Sequence, residues 1–473
     1  MKSHKLKWNL LLEDKRFRQK STTIESDGRN PFENDYGRLI SSAPIRRLQD
    51  KTQVFPLEQS DYIRTRLTHS LEVSYIASSI GQSIENWLIK EKEIDLEKKG
   101  HLSSLLRVSG LIHDLGNPPF GHFGEEAVKE FFKNYFVSPK YLEYEADYKK
   151  TNKTTKDLLS NEEKEDFINF DGNVQTLRIL SKLYYFGDKY GYNLTFSSLS
   201  SCIKYPSNST AGNKGKKHPI ISERKFGYYL SELEIYNEIN KHLELEGRRS
   251  PIVYLMESAD DIAYSAADIE DGIKLGIINI YEVRKIFNQH LTTNKSEVID
   301  ELDKLIRLYD NGDIDDSVTI QKFRIFTQKI MIQEIINTFK DKYDEIMTGN
   351  LQYEIIDISK ASDIRKAYKE LQYIVFDDKN ILKKEIAGWE AIYGLLKIFV
   401  KASRSDKFKP AGNNYESRIY KLISTGHKYV YEHIESYPNQ EYKKLQMIID
   451  FISGMTDSYA INLYQELTGI KLW

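Results

Sequence analysis

Apolar residues recur every three or four positions through most of this chain, the spacing that puts them on one face of a helix. The pattern predicts helices over 71–90, 101–113, 124–136, 173–190, 228–245, 251–275, 281–307, 318–348, 360–373, 379–403, 415–436 and 440–467. The expectation is a mainly α fold, with room for a small β element near 190–204 or 350–358. The polar stretches 147–166, 206–218 and 310–316 read as surface excursions. The second of them, PSNSTAGNKGKKH, is rich in Gly, Ser and Lys.

Length alone would suggest two or three domains for 473 residues, but no composition break divides the sequence. Lys and Arg number 68 against 70 acidic residues, a net charge of −2, so there is no overall basic field to attract nucleic acid. An anionic ligand must be held by local cations or a metal. A single cysteine, Cys202, excludes an internal disulfide framework and fits a reducing cytoplasm. The N-terminus lacks an apolar run of signal-peptide length, and no segment is long enough to span a bilayer.

The densest chemistry lies at His113–Glu126, HDLGNPPFGHFGEE. An apolar run before it (Leu105, Leu106, Val108, Leu111, Ile112) predicts a helix that delivers His113 and Asp114 at its C-terminal end. Gly116–Pro119 must then bend, because proline has no N–H to continue the ladder. The next helix opens with His122 and Glu125 three residues apart, close enough to touch. Upstream, His69 falls in the first turn of an amphipathic helix, just after Arg64 and Arg66. Guanidinium groups there suit phosphate, although a salt-bridged turn is the plainer reading of both. Downstream, Ser250-Pro251 opens an apolar helix, and Asp260, Tyr264 and Asp268 follow at four-residue intervals, broadly on one face. Unpaired buried carboxylates are costly, so Asp260 and Asp261 ask for a partner or a metal. Spacing does not choose between them.

The words IRRLQDKTQVFP (45–56), RTRLTHSLEV (64–73), HDLGNPPFGHFGE (113–125), NFDGNVQTLRIL (169–180), IKYP (203–206), YLMESADDIAY (254–264) and DFISGMTDSYA (450–460) resemble, in order, those of the bacterial deoxyguanosine triphosphate triphosphohydrolases. That family belongs to the HD-domain metal phosphohydrolases. The resemblance covers nearly the whole chain and implies one unit, 1–473. Within it lie an HD core over 60–275 and a helical region over 276–473 for base recognition and oligomer contacts. It implies a metal set of His69, His113, Asp114 and Asp260, taking the first of the two aspartates. That mixed nitrogen and oxygen set suits Mn²⁺, Mg²⁺, Co²⁺ or Fe²⁺.

By the same resemblance His122 and Glu125 do acid–base work, and Arg66, Lys204 and Tyr205 contact phosphates. Gln53, Tyr264 and Asp268 face the deoxyribose. Glu390 and Arg418 match the guanine-facing positions loosely. The implied reaction releases deoxynucleoside and inorganic tripolyphosphate from dGTP or another dNTP. A homohexamer, an allosteric dNTP and single-stranded DNA are partners that relatives would share. Two other readings compete: an HD phosphohydrolase of cyclic or alarmone nucleotides, and a nucleotide-sensing or DNA-binding regulator. The intact ligand set and the sugar-facing residues favour the first reading over both.

Overall fold

The computed structural model describes residues 4–18, 28–58, 60–184, 189–215, 217–292 and 295–471. Helices dominate, and no strand occurs among the described residues; Thr52 and Thr65 form an isolated antiparallel bridge. The mainly α expectation holds. The two stretches with room for β are instead short helices, Phe196–Ser200 and Ile355–Ile358. Thr195 caps the first by accepting from Ser198 N, and the second buries Ile355 and Ile356 among helices that offer no sheet edge to pair with.

Nine helices matter most for the site: α1 (Arg66–Lys90), α2 (His101–Ile112), α3 (Gly121–Phe136), α4 (Pro251–Lys274), α5 (Asp316–Asp341), α6 (Ser362–Phe376), α7 (Lys379–Ser403), α8 (Gln440–Ser453) and α9 (Asp457–Thr468). The start of α1 is set by a reciprocal cap, in which the Thr65 and Thr68 hydroxyls each accept from the other's backbone N–H. Ser250 caps α4 ahead of Pro251, as the sequence suggests.

Several expected boundaries shift. The 281–307 pattern is two helices, Ile280–His290 and Lys295–Asp310, and residues 293–294 between them lie outside the described set. The 440–467 pattern breaks after Ser453, where Thr456 recaps the chain by accepting from Tyr459 N. Part of the 147–166 excursion is helical (Pro139–Thr151 and Asn161–Ile168), the latter closed by a Ser160–Glu163 capping box. The 173–190 pattern ends earlier, in a π-helical turn at Ile179–Leu183; 185–188 lie outside the described residues.

Helix α4 is buried on nearly every side and packs against α1, α2, α5 and α6. It is the central rod of the larger core, and it buries carboxylates such as Asp268, Glu270 and Asp271 along with its apolar side chains. A second core forms where α3 packs on α7 and α7 in turn on α8 and α9, and it is rich in aromatic rings such as Phe132, Phe136, Phe167 and Tyr442. The stretches 60–275 and 276–473 each contribute to both cores. Gly388 of α7 marks a close approach: a Cβ there would lie 2.3 Å from Cγ of Phe120, so only hydrogen fits against that ring. Beside the second core, buried Arg178 pairs with Asp450, Glu232 and Glu435, and Lys182 pairs with Glu232 and Glu435. No described helix is long and apolar enough to cross a membrane.

Candidate active site

Three of the four expected ligands meet. One nitrogen or oxygen atom from each of His69, His113 and Asp260 lies within 4.8 Å of the others. Helix α1 brings His69, the end of α2 brings His113, and α4 brings Asp260. Asp260 Oδ1 stands 3.1 Å from His69 Nε2 and 3.4 Å from His113 Nε2. The His113 ring is oriented from behind, its Nδ1 donating to the Gly110 carbonyl at 2.7 Å. That bond leaves Nε2 as the free lone pair, the form a metal ligand needs. His113 Nε2 is buried and has no hydrogen-bond partner. An orphaned imidazole lone pair beside a second histidine and a carboxylate fits a divalent cation. Burial opposes charge on Asp260, yet positive charge at this corner, carried by the two imidazoles when they are protonated, holds its carboxyl well below the usual range.

Asp114 is the fourth. Its Oδ2 is 3.6 Å from His113 Nε2 and pairs with Arg66, while Oδ1 accepts from Asn117 Nδ2 at 2.8 Å. Burial again opposes ionisation, but the Arg66 guanidinium holds the carboxyl far down. Asp261 turns away from the corner to pair with Arg365 at 2.8 Å. Of the two aspartates, Asp260 faces the histidines and Asp261 does not.

The two arginines ahead of His69 also part company. Arg64 contacts Glu72, Glu270 and Asp271, a structural network well served without a phosphate. Arg66 reaches into the corner, donating to the Thr52 carbonyl at 2.7 Å as well as pairing with Asp114. Its Nε is buried without a partner. Gly121, at φ +55°, makes room for this guanidinium: a Cβ there would lie 2.8 Å from Arg66 Nη2.

Past the bend, His122 and Glu125 meet as their spacing predicts. Glu125 is buried; its Oε2 lies 3.2 Å from His122 Nδ1, and its Oε1 accepts from Gly172 N at 2.8 Å. The imidazole itself stands open, with 85 % of its side-chain surface exposed. The hydrogen bond and charge of Glu125 raise the His122 pKa above the ordinary value.

Lys204 and Tyr205 lie in a loop beside α4. Lys204 Nζ is 3.9 Å from Glu257, one turn before Asp260, and Glu257 is anchored by buried Arg249. Tyr264 packs edge-on to His69, with ring centroids 6.5 Å apart. Asp268 follows one turn on, buried and bonded to Gln372. Gln53 has a buried Oε1 without a partner, which leaves its amide unsatisfied at the site. Glu390 and Arg418 are exposed, and the Arg418 Nε donates to the Asn413 carbonyl at 3.1 Å. No bond joins either to the histidine–aspartate corner among the described residues.

Sequence reading passed over several residues that structure the site. Lys225 pairs with Asp171 and bears electrostatically on His122 and Glu125. The neighbouring Gly227 N donates to Ser207 O at 2.9 Å, which lays this segment along the Lys204–Tyr205 loop. Asp457, the first residue of α9, accepts from Phe120 N at 3.0 Å and Thr52 N at 2.9 Å, and also from the Thr52 hydroxyl. One carboxylate therefore ties the Gln53 loop to the bend that carries His122. Beside it, buried Lys51 donates to the carbonyls of Asn117 (2.6 Å) and Ser453 (3.0 Å), and burial pulls its pKa down to about 7.

Comparison with known proteins adds two family matches, an HD domain over residues 66–167 and a phosphohydrolase-associated domain over 418–466. The first contains His69, His113 and Asp114; the second contains Asp450, Ser453 and Asp457. Proteins named deoxyguanosinetriphosphate triphosphohydrolase-like protein from Listeria innocua and Listeria monocytogenes are each 40% identical to this chain, over 98% of it and 100% of their own length. The protein of the same name from Synechocystis sp. is 31% identical over 99% of this chain and 100% of its own.

Proposed function

The chain belongs to the deoxyguanosinetriphosphate triphosphohydrolase-like family of HD-domain phosphohydrolases, and from that premise we propose that it hydrolyses dGTP, and other dNTPs, to deoxynucleoside and inorganic tripolyphosphate. The observation that supports this most is the convergence of His69, His113 and Asp260, with the His122–Glu125 pair on the helix beyond the bend. With Asp114 they would hold Mn²⁺, Mg²⁺, Co²⁺ or Fe²⁺. Such an ion, when bound, supplies Lewis acidity at a phosphoryl oxygen and makes a nearby water more acidic.

The chain's own residues account for the rest. Arg66, Lys204 and Lys225, with the Tyr205 hydroxyl, offset the charge of the triphosphate. Water adds at the α-phosphorus, the bond to the 5′ oxygen breaks, and that oxygen needs a proton. His122 gives it, held in place by Glu125 and kept protonated by it. The sugar 3′-hydroxyl donates to the Asp268 carboxyl and accepts from the amide of Gln53, and the Tyr264 ring leaves no space for a 2′-hydroxyl. Glu390 and Arg418 receive no base-reading role within a single chain. A hexamer, a regulatory dNTP and single-stranded DNA rest on family resemblance, and no described residue is assigned to them.

Phosphorus NMR of products from each of the four dNTPs, with Mn²⁺ and with Mg²⁺, tests the reading and reports base preference. Tripolyphosphate with unphosphorylated deoxynucleoside is expected. A nucleoside monophosphate with pyrophosphate would overturn the assigned bond cleavage. Asp260→Ala should lose metal binding and turnover together.

A further inference from the structure

Helix α6 contributes one side chain to the floor of the sugar-facing wall. Gln372 is buried, and its Nε2 lies 2.9 Å from Asp268 Oδ2 and 3.4 Å from the Tyr264 carbonyl oxygen. A primary amide has two N–H groups, so one nitrogen can serve both acceptors. Asp268 is itself buried, and no Lys or Arg pairs with it among the described residues. Its acidic neighbour Asp271 is the one bound by Arg64. A carboxyl in that position turns broadly about its last torsion unless something pins it. Here the pin is the Gln372 amide, and it comes from a different helix than the two residues it holds.

We propose that Gln372 is a positioning residue for the sugar subsite: it fixes the Asp268 carboxyl through Oδ2, so that Oδ1 is presented to the 3′-hydroxyl, and it holds the backbone that carries the Tyr264 ring. The inference rests on the sugar-facing assignment of Asp268 given above. A wholly structural role would weaken every substrate alike, whereas a positioning role acts only where a 3′-hydroxyl is present.

Gln372→Met keeps the length of the side chain and removes the amide; Gln372→Leu is a second variant should the first fold poorly. Each is compared with wild type on dGTP and on 2′,3′-dideoxyGTP, with Mn²⁺ affinity measured alongside as a check on the metal corner. Wild type should favour dGTP. The variants should lose about tenfold in kcat/KM on dGTP, the size of one buried hydrogen bond, and should be unchanged on the dideoxy substrate with Mn²⁺ affinity preserved. Equal losses on both substrates, or undiminished preference for dGTP, would overturn the role of Gln372. A wild-type enzyme that treats the two substrates alike would instead overturn the assignment of Asp268 to the sugar.

Discussion

Glu125 turns its two oxygens to different tasks, one to the N–H that opens the Gly172–Arg178 helix and the other to His122. Because the carboxylate stabilises the imidazolium, the folded pKa of His122 lies above its ordinary value. In the general-acid role proposed for it His122 works while protonated, so kcat/KM should fall as pH rises through that raised value. Glu125→Gln should move this alkaline limb to lower pH, and His122→Ala should lose roughly 10²-fold in rate while retaining Mn²⁺. Rate profiles across pH, with metal titrations, check both; a limb that stays in place in Glu125→Gln would refute the pairing. At this scale the meeting of His122 and Glu125 was legible in their three-residue spacing, and the place of His113 in the apolar run that leads to the bend. His69 and Asp260 came in only through the family's words, since nothing in their separation from His113 brings them to it. Arg64 and Arg66 were not separable, because the acids that claim Arg64, Glu270 and Asp271, lie some two hundred positions away. Lys225 stands in no motif, and only the packing of its segment against the Lys204–Tyr205 loop brings it in.

Between elements, the C-terminal helices brace the loops of the candidate site. Asp457 at the head of α9 takes N–H groups from Thr52 and Phe120, and Thr52 in turn accepts from Arg66. Asp457→Ala should therefore slacken the Gln53 loop and the bend together. We expect about 10²-fold lower kcat/KM, with Mn²⁺ affinity unchanged, because small misplacements of reacting groups are expensive in rate. Steady-state kinetics beside a metal titration measure this; wild-type kinetics in the variant would refute the brace. Periodicity located most helices, yet it ran through the break at Gly454–Thr456, where the recapping that frees Asp457 depends on Thr456 rather than on any loss of apolar spacing.

Across the molecule, stability should carry a pH signature from the second core. Asp166 is buried there, accepting from Tyr442 Oη at 2.6 Å and Leu230 N at 2.8 Å, and burial pushes its pKa up to about 7. The protonated form is the one the fold prefers. Its contribution is complete below the unfolded carboxyl value near 4 and is lost as pH rises toward 7. Asp166→Asn should accordingly gain about 2 kcal/mol over wild type at pH 8 and nothing near pH 4. Urea unfolding at the two pH values measures it; equal gains at both would contradict a titration origin. The division into cores was not readable from the sequence, since α3 and α7 are more than two hundred positions apart. The contact of Phe120, the residue ahead of α3, with Gly388 of α7 has a practical bearing on hybrids made with relatives. A gene crossover anywhere between codons 120 and 388 takes the ring from one parent and the hydrogen-only position from the other. Chimeras should inherit both from the same ancestor.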